Sequence, residues 1–157
     1  IRPATVCGWS PRMRLDVSVN LLTMQALQNM EMTVFGGLQT RPNIHIRDMI
    51  RVYQHFLTNS GLPSGCYNAG FENISILDIA KEVSKKVPSE IVVTESNDPR
   101  SYRQNSDKLL KTGFKPLYTI TNAIDEVIDK YKSGELVDSE NCYTMKWMKH
   151  LKLDLKK

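Results

Sequence analysis

Short β-branched runs alternate with amphipathic helical runs from Arg2 to Ser133, and this alternation confines the chain to an α/β or α+β fold. Arg2 to Cys7 reads as a strand stopped by Gly8. Leu15, Val19, Leu22, Ala26 and Met30 follow at helical spacing. Met32 to Phe35 is a short strand closed by Gly36-Gly37, and Asn43 to Ile46 is a second extended piece. The pattern then predicts a helix from Asp48, with Met49, Ile50, Tyr53, Phe56 and Leu57 on its inner face and a stop at Asn59-Ser60-Gly61. Gly65 to Ala69 reads as a strand. Ser75-x-x-Asp78 has capping-box spacing ahead of Ile76, Ile79, Ala80, Val83 and Val87. A strand over Glu90 to Thr94, a short helix over Asn105 to Lys111, and a helix over Thr121 to Ser133 complete the series. Beyond Gly134, Met145, Met148, Leu151 and Leu155 suggest a basic helix.

Composition narrows the classes. Of the 157 residues 41% are hydrophobic and the net charge is +4, which is too apolar and too weakly charged for a disordered chain. No apolar run approaches the roughly 18 residues of a membrane span, and no signal peptide is recognisable. Cys7, Cys66 and Cys142 lie far apart without a CxxC pair, which argues for a cytoplasmic protein with three buried thiols rather than a disulfide framework. His45, His55 and His150 are isolated, so no metal site is expected. The first residue is not Met and the first strand reads as if entered midway. The chain is therefore expected to be a piece of a longer protein, or a processed or trimmed one.

Two arginine loops carry the most chemical information. Arg41 stands between the Gly36-Gly37 turn and Pro42. Arg100 and Arg103 follow Asp98-Pro99. An arginine on a proline-stiffened loop loses little entropy on binding, and its planar fork matches phosphate oxygens. Two such loops can clamp a diphosphate. The alternative reading makes each a surface arginine paired with a carboxylate. His45 and Asp48 read as structural: a hydrogen-bonded strand histidine and a helix N-cap.

The ordered set of motifs resembles the extended short-chain dehydrogenases/reductases, the NAD-dependent nucleotide-sugar epimerases and dehydratases. The carriers are the strand Arg2-Pro3-Ala4-Thr5-Val6-Cys7-Gly8, the segment Ser10-Pro11-Arg12-Met13-Arg14 with Asn20 in the helix behind it, and Gly36-Gly37 leading to Arg41-Pro42-Asn43-Ile44-His45-Ile46-Arg47-Asp48. Further on come Tyr67-Asn68-Ala69-Gly70, Asp98-Pro99-Arg100-Ser101-Tyr102 and Gly113-Phe114-Lys115-Pro116. The resemblance covers residues 1 to 133. It implies the C-terminal, substrate-binding part of a Rossmann-type fold: residues 1–30 end the Rossmann portion, a small mixed α/β lobe follows, and 134–157 form a tail.

The resemblance implies roles residue by residue. Pro3 would lie beside the nicotinamide of NAD, and Asn20, Arg41 and Arg100 would hold the diphosphate of a nucleotide sugar, with Arg103 in reserve. Thr5 stands where many relatives carry a sugar-contacting Asn. The family's Gly-rich loop is absent, and no Tyr has a Lys four residues later, so NAD would be bound mainly by an upstream half and no catalytic residue is assigned here. The implied chemistry is that of an isomerase or lyase, with no nucleic acid or membrane partner. Loss of the upstream strands predicts self-association or a homodimer. The competing class is a non-enzymatic basic module for an anionic partner, drawn from the pI near 9.0 and from Lys146, Lys149, Lys152, Lys156 and Lys157.

Overall fold

A computed structural model describes residues 1–96 and 100–151. Asp98 and Pro99 of the second arginine loop lie outside the described residues, as do Lys152, Leu155, Lys156 and Lys157 of the tail. The strands are β1 (Arg2–Pro3), β2 (Thr5–Cys7), β3 (Glu31–Phe35), β4 (Thr40–His45), β5 (Asn68–Ala69), β6 (Glu72–Ser75) and β7 (Glu90–Thr94). The helices are α1 (Ser18–Asn29), α2 (Ile46–Thr58), α3 (Ile76–Lys86), α4 (Asp107–Leu110), α5 (Ile120–Lys132) and α6 (Thr144–His150), with a 3-10 turn at Glu140–Cys142.

Three small sheets result, giving the expected α/β class. β1 pairs in parallel with β5, β3 with β7, and β2 with β4, while β6 adds antiparallel to β4. The strand expected over residues 2–7 is two strands divided at Ala4. Its N-terminal part bonds to β5, with Arg2 N donating to Tyr67 O and Ala4 N to Ala69 O, and its C-terminal part bonds to β4. Strand β6 carries no sequence signal of its own; its existence comes from pairing with β4.

Burial follows the helical spacing in α1, α3 and α5, except at Met30, which caps the end of α1 and is 58% exposed. Val19, Leu22, Ala26, Ile79, Ala80, Val83, Ala123 and Ile124 form one core with Met32 and Val34 of β3. A second core joins Ile44, Met49, Val52, Tyr67, Ala69, Leu109 and Phe114. A third, built from Met13, Leu15, Met24, Val127, Leu136 and Cys142, fastens the segment after α5 to the loop after β2.

Helix α2 departs from expectation. Ile50 and Tyr53 are about half exposed and Leu57 is 83% exposed, whereas Met49 and Val52 are buried and Phe56 packs partly against the second core. Two apolar stripes, one residue apart around the helix, satisfied the same periodicity, and docking against β4 and β5 selected one. The helix also begins earlier. His45, not Asp48, is the N-cap, its Nδ1 accepting from Arg47 N at 3.1 Å. Asp48 is instead a fully buried residue of the first turn that accepts from Leu117 N and Tyr118 N, both at 2.9 Å, and pairs with Arg51. Cys66 is exposed, contrary to the expectation for three buried thiols. Cys7 is buried, and burial with the nearby Glu72 charge pushes its thiol up to about 12. Among the described residues no helix is long and apolar enough to cross a membrane.

Ile124→Ala, at a fully buried site, is expected to lower stability by about 2–5 kcal/mol. Leu57→Ala is expected to stay within about 0.5 kcal/mol of the parent despite removing more apolar surface from the sequence pattern than from the core. Urea unfolding at constant slope distinguishes the two.

Candidate functional site

Arg41 sits within β4 rather than on a loop, a correction that changes how it is held. The backbone at Arg41 is paired with Ile74 of β6, and the strand continues into Asn43–His45, which pair with β2. The Arg41 guanidinium lies 5.3 Å over the Tyr102 ring and donates through Nη1 to Thr40 O at 3.1 Å and to Arg100 O. The segment carrying Arg100 is stitched alongside: Thr40 N donates to Ser101 Oγ at 3.0 Å and Tyr102 N to Thr40 O at 3.2 Å. The Arg41 guanidinium thus reaches the backbone of Arg100, 59 residues away in sequence.

Residues 104–106 continue the stitching toward the first strand. Gln104 exchanges bonds with Asn73, its N donating to Asn73 Oδ1 at 2.8 Å while Asn73 Nδ2 donates to Gln104 O at 3.1 Å. Its Nε2 donates to Arg2 O at 2.9 Å. Ser106 Oγ donates to Gly70 O and accepts from Gly70 N. A Cβ on Gly70 would overlap both the Gln104 amide and Ala4, so glycine at this position permits the close approach. The result is a cavity of about 410 Å³ between Pro3, Ala4, Thr5, Pro42, Tyr102, Arg103 and Gln104. Pro3, Thr5 and Arg103 therefore converge on one space bordered by the ring that carries Arg41. Arg103 and Gln104 also line an adjoining cavity of about 480 Å³ reaching Phe71 and Leu110. Tyr102 and Gln104 are the members that sequence reasoning missed as site residues; Tyr102 followed the second arginine loop directly.

Asn20 does not join this group. It is 2% exposed, and its amide is committed to backbone: Oδ1 accepts from Gly8 N at 3.0 Å, and Nδ2 donates to Arg14 O at 2.9 Å and to Gly8 O at 3.4 Å. A buried amide satisfied three times has its polar capacity spent inside the fold. The diphosphate role expected for Asn20 is corrected to one of holding the turn after β2.

Beneath the site, His45 is fully buried and stacked on Tyr118 with ring centroids 4.9 Å apart. Because Nδ1 accepts the Arg47 N–H, the neutral ring carries its proton on Nε2, which lies 3.2 Å from Glu126 Oε2 without hydrogen-bond alignment. Glu126 also pairs with Arg47 at 2.8 Å and accepts from Trp9 N at 3.4 Å. Burial, with the Arg47 charge, holds His45 below the usual histidine range, and the Glu126 and Asp48 charges only partly offset this. Among the described residues no cluster of histidine, cysteine or carboxylate groups can hold a metal.

The architecture has solved counterparts. A dTDP-glucose 4,6-dehydratase from Bacillus anthracis, in complex with NAD, superposes with TM-score 0.71 at 20% identity, over 85% of this chain and 44% of that one. The fold is that of the extended short-chain dehydrogenases/reductases. A UDP-glucuronic acid 4-epimerase variant from Bacillus cereus, solved with NAD and a fluorinated UDP-sugar, matches this extended fold at TM-score 0.69 and 25% identity, over 84% of this chain and 44% of that one. An anthocyanidin reductase from Vitis vinifera is 32% identical over 98 residues, 60% of this chain and 29% of that protein. The chain thus spans less than half the length of these structures and under a third of the reductase. No protein-family model matches it.

The His45 geometry sets a pH dependence. The unfolded chain binds a proton near the ordinary histidine value of about 6.5, the folded chain only at lower pH. Stability is therefore at its plateau above about pH 6.5 and falls as pH drops through the interval down to the folded value. His45→Asn keeps an N-capping oxygen and cannot titrate. Its melting temperature is expected to fall less than that of the parent between neutral and mildly acidic pH, read as a difference of differences by calorimetry.

Proposed function

We propose that this chain is the substrate-binding part of an NAD-dependent nucleotide-sugar epimerase or dehydratase. The supporting observation is the contact of the Arg41 guanidinium with the Arg100 backbone and the Tyr102 ring, beside the cavity that Pro3, Thr5, Tyr102 and Arg103 line. An arginine tied to backbone carbonyls and laid on an aromatic ring is pre-organised, so little freedom is lost when it grips a diphosphate. Arg41 and Arg100 bind the diphosphate, Thr5 and Arg103 orient the sugar side of the cavity, and Asn20 acts only by holding Gly8. Binding energy collected on the nucleotide positions the reacting carbon.

NAD fits this reading in part. Pro3 is exposed and borders the cavity, so it offers one wall to a nicotinamide; the sequence carries no Gly-rich loop to cradle the pyrophosphate. NAD, when bound, supplies the hydride acceptor for transient oxidation of a sugar hydroxyl. The proton-transfer pair of such chemistry, a Tyr with a Lys four residues on, is not in this sequence. The 157-residue chain by itself is therefore expected to show no epimerase or dehydratase turnover with any nucleotide sugar, assayed by product chromatography. The exposed Ile50, Tyr53 and Leu57 stripe also makes self-association of the isolated chain the expected state; sedimentation as a monomer at micromolar concentration overturns that part.

The clamp is tested in the longest natural chain that contains this sequence. Arg41→Ala and Arg100→Ala are each expected to weaken nucleoside diphosphate binding by about 2–3 kcal/mol, roughly thirty- to more than a hundredfold. Arg41→Lys should recover only part of the loss, since it keeps the charge without the fork. Titration calorimetry on folded variants within about twofold of the parent overturns the assignment and leaves the arginines as surface ion pairs worth about 1 kcal/mol or less.

A further inference from the structure

A third cavity, of about 390 Å³, lies between the loop after β2 and the segment after α5, roofed by α6. It shares no lining residue with the two cavities around Arg103, so its contents are independent of the nucleotide-sugar reading. The chain has two tryptophans, and Trp9 and Trp147 both line this space. Its floor is apolar, built from Met13, Leu136 and Cys142, all at most 7% exposed. Two indoles over an apolar floor favour a flat ring, which stacks on them while losing few internal rotations.

The polar groups around the rim decide the charge of the ligand. Arg12 lines the cavity, and its guanidinium forms no ion pair or hydrogen bond with any described residue, whereas Arg14, two residues on, is paired with Asp16 at 2.9 Å. The side-chain amide of Asn141 and both indole N–H groups likewise bond to no described residue. The one carboxylate on the rim, Glu135, is committed to Lys130 Nζ at 2.6 Å, and that ammonium also lies 4.8 Å over the Trp9 ring. Ser139 Oγ is engaged with Cys142 Sγ. The uncommitted capacity is thus one cation and several neutral donors, with no uncommitted carboxylate. Such a rim selects an anion, and a carboxylate, planar like the ring it is attached to, meets an arginine fork with two parallel hydrogen bonds. The volume, about 390 Å³, accommodates a single ring with its acid group.

We infer that the Trp9–Trp147 cavity is a binding site for a small aromatic carboxylate, with Arg12 pairing the acid group and the indoles flanking the ring. The contact between Trp9 N and Glu126 ties the same loop to the buried His45 cluster, so the wall of the cavity is anchored to the rigid part of the fold.

Because both indoles line the site, the chain labelled with 15N-tryptophan gives an NMR spectrum of two indole N–H signals that report directly on it. Benzoate is the probe, and benzyl alcohol, the same ring without charge, is the control. Saturable shifts of both signals with benzoate, with benzyl alcohol at least about tenfold weaker, are expected for one charge-assisted contact. Arg12→Ala, an exposed site with no partner to lose, should reduce benzoate to the level of the alcohol while leaving the alcohol unchanged. Trp147→Phe should delete one signal and retain benzoate binding with a smaller shift of the other. Absence of a saturable shift with millimolar benzoate, equal affinity for acid and alcohol, or undiminished benzoate binding in Arg12→Ala each overturns the assignment.

Discussion

Strand β4 is hydrogen-bonded on both edges, to β2 in parallel and to β6 antiparallel, and the rest of the structure depends on that double pairing. It buries Asn43, Ile44 and His45 almost completely, places Pro42 in the wall of a cavity, and runs without a connecting loop into α2. A strand paired on one side only can slip by a residue and turn every side chain to the other face. Pairing on both sides removes that freedom. Arg41 and the half-turn from His45 to Asp48 consequently keep a fixed relation to each other, one laid on the Tyr102 ring and the other facing the core.

Buried carboxylates then lock the later chain onto this centre. Asp48 collects the backbone N–H groups of Leu117 and Tyr118, Glu72 accepts from Ile120 N at 2.6 Å at the start of α5, and Glu126 reaches back from α5 to Arg47 and His45. Burial raises the Glu72 carboxyl, and its bond to Ile120 N works against that rise. A carboxylate at a helix N-terminus meets the positive end of the helix dipole and satisfies an N–H that no helical carbonyl reaches. Residues of low sequence contrast, such as Leu117 and Tyr118, are held by these side chains, whereas Thr119 caps α5 through its own exchange with Asn122.

The structural likeness to epimerases and dehydratases reaches across more than four-fifths of this chain but less than half of theirs. Within that shared part, an arginine laid on an aromatic ring and a glycine-permitted close approach surround one cavity. The segment 100–106 is held by hydrogen bonds to β4, β5 and β6 and closes the cavity against the first strand.

The sequence by itself determined the alternating α/β order, most of the inner faces of α1, α3 and α5, and the Ser75–Asp78 cap. Each rests on local periodicity, on a short-range hydrogen bond, or on residue identity. Tertiary structure alone decided the division of the first strand at Ala4, the presence of β6, the apolar stripe that α2 buries, the passage of the N-cap from Asp48 to His45, and the loss of Asn20 from the site. In each of these the deciding partner lies far along the chain: β5 and β4 for the first strand, β4 for β6, Leu117 and Tyr118 for Asp48. For Asn20 it was the fold of the turn at Gly8 that consumed the amide. A periodicity states that a face is apolar and a motif states that a donor exists. Which of two equivalent faces is covered, and whether a donor is already spent, depends on contacts that form only when distant segments meet.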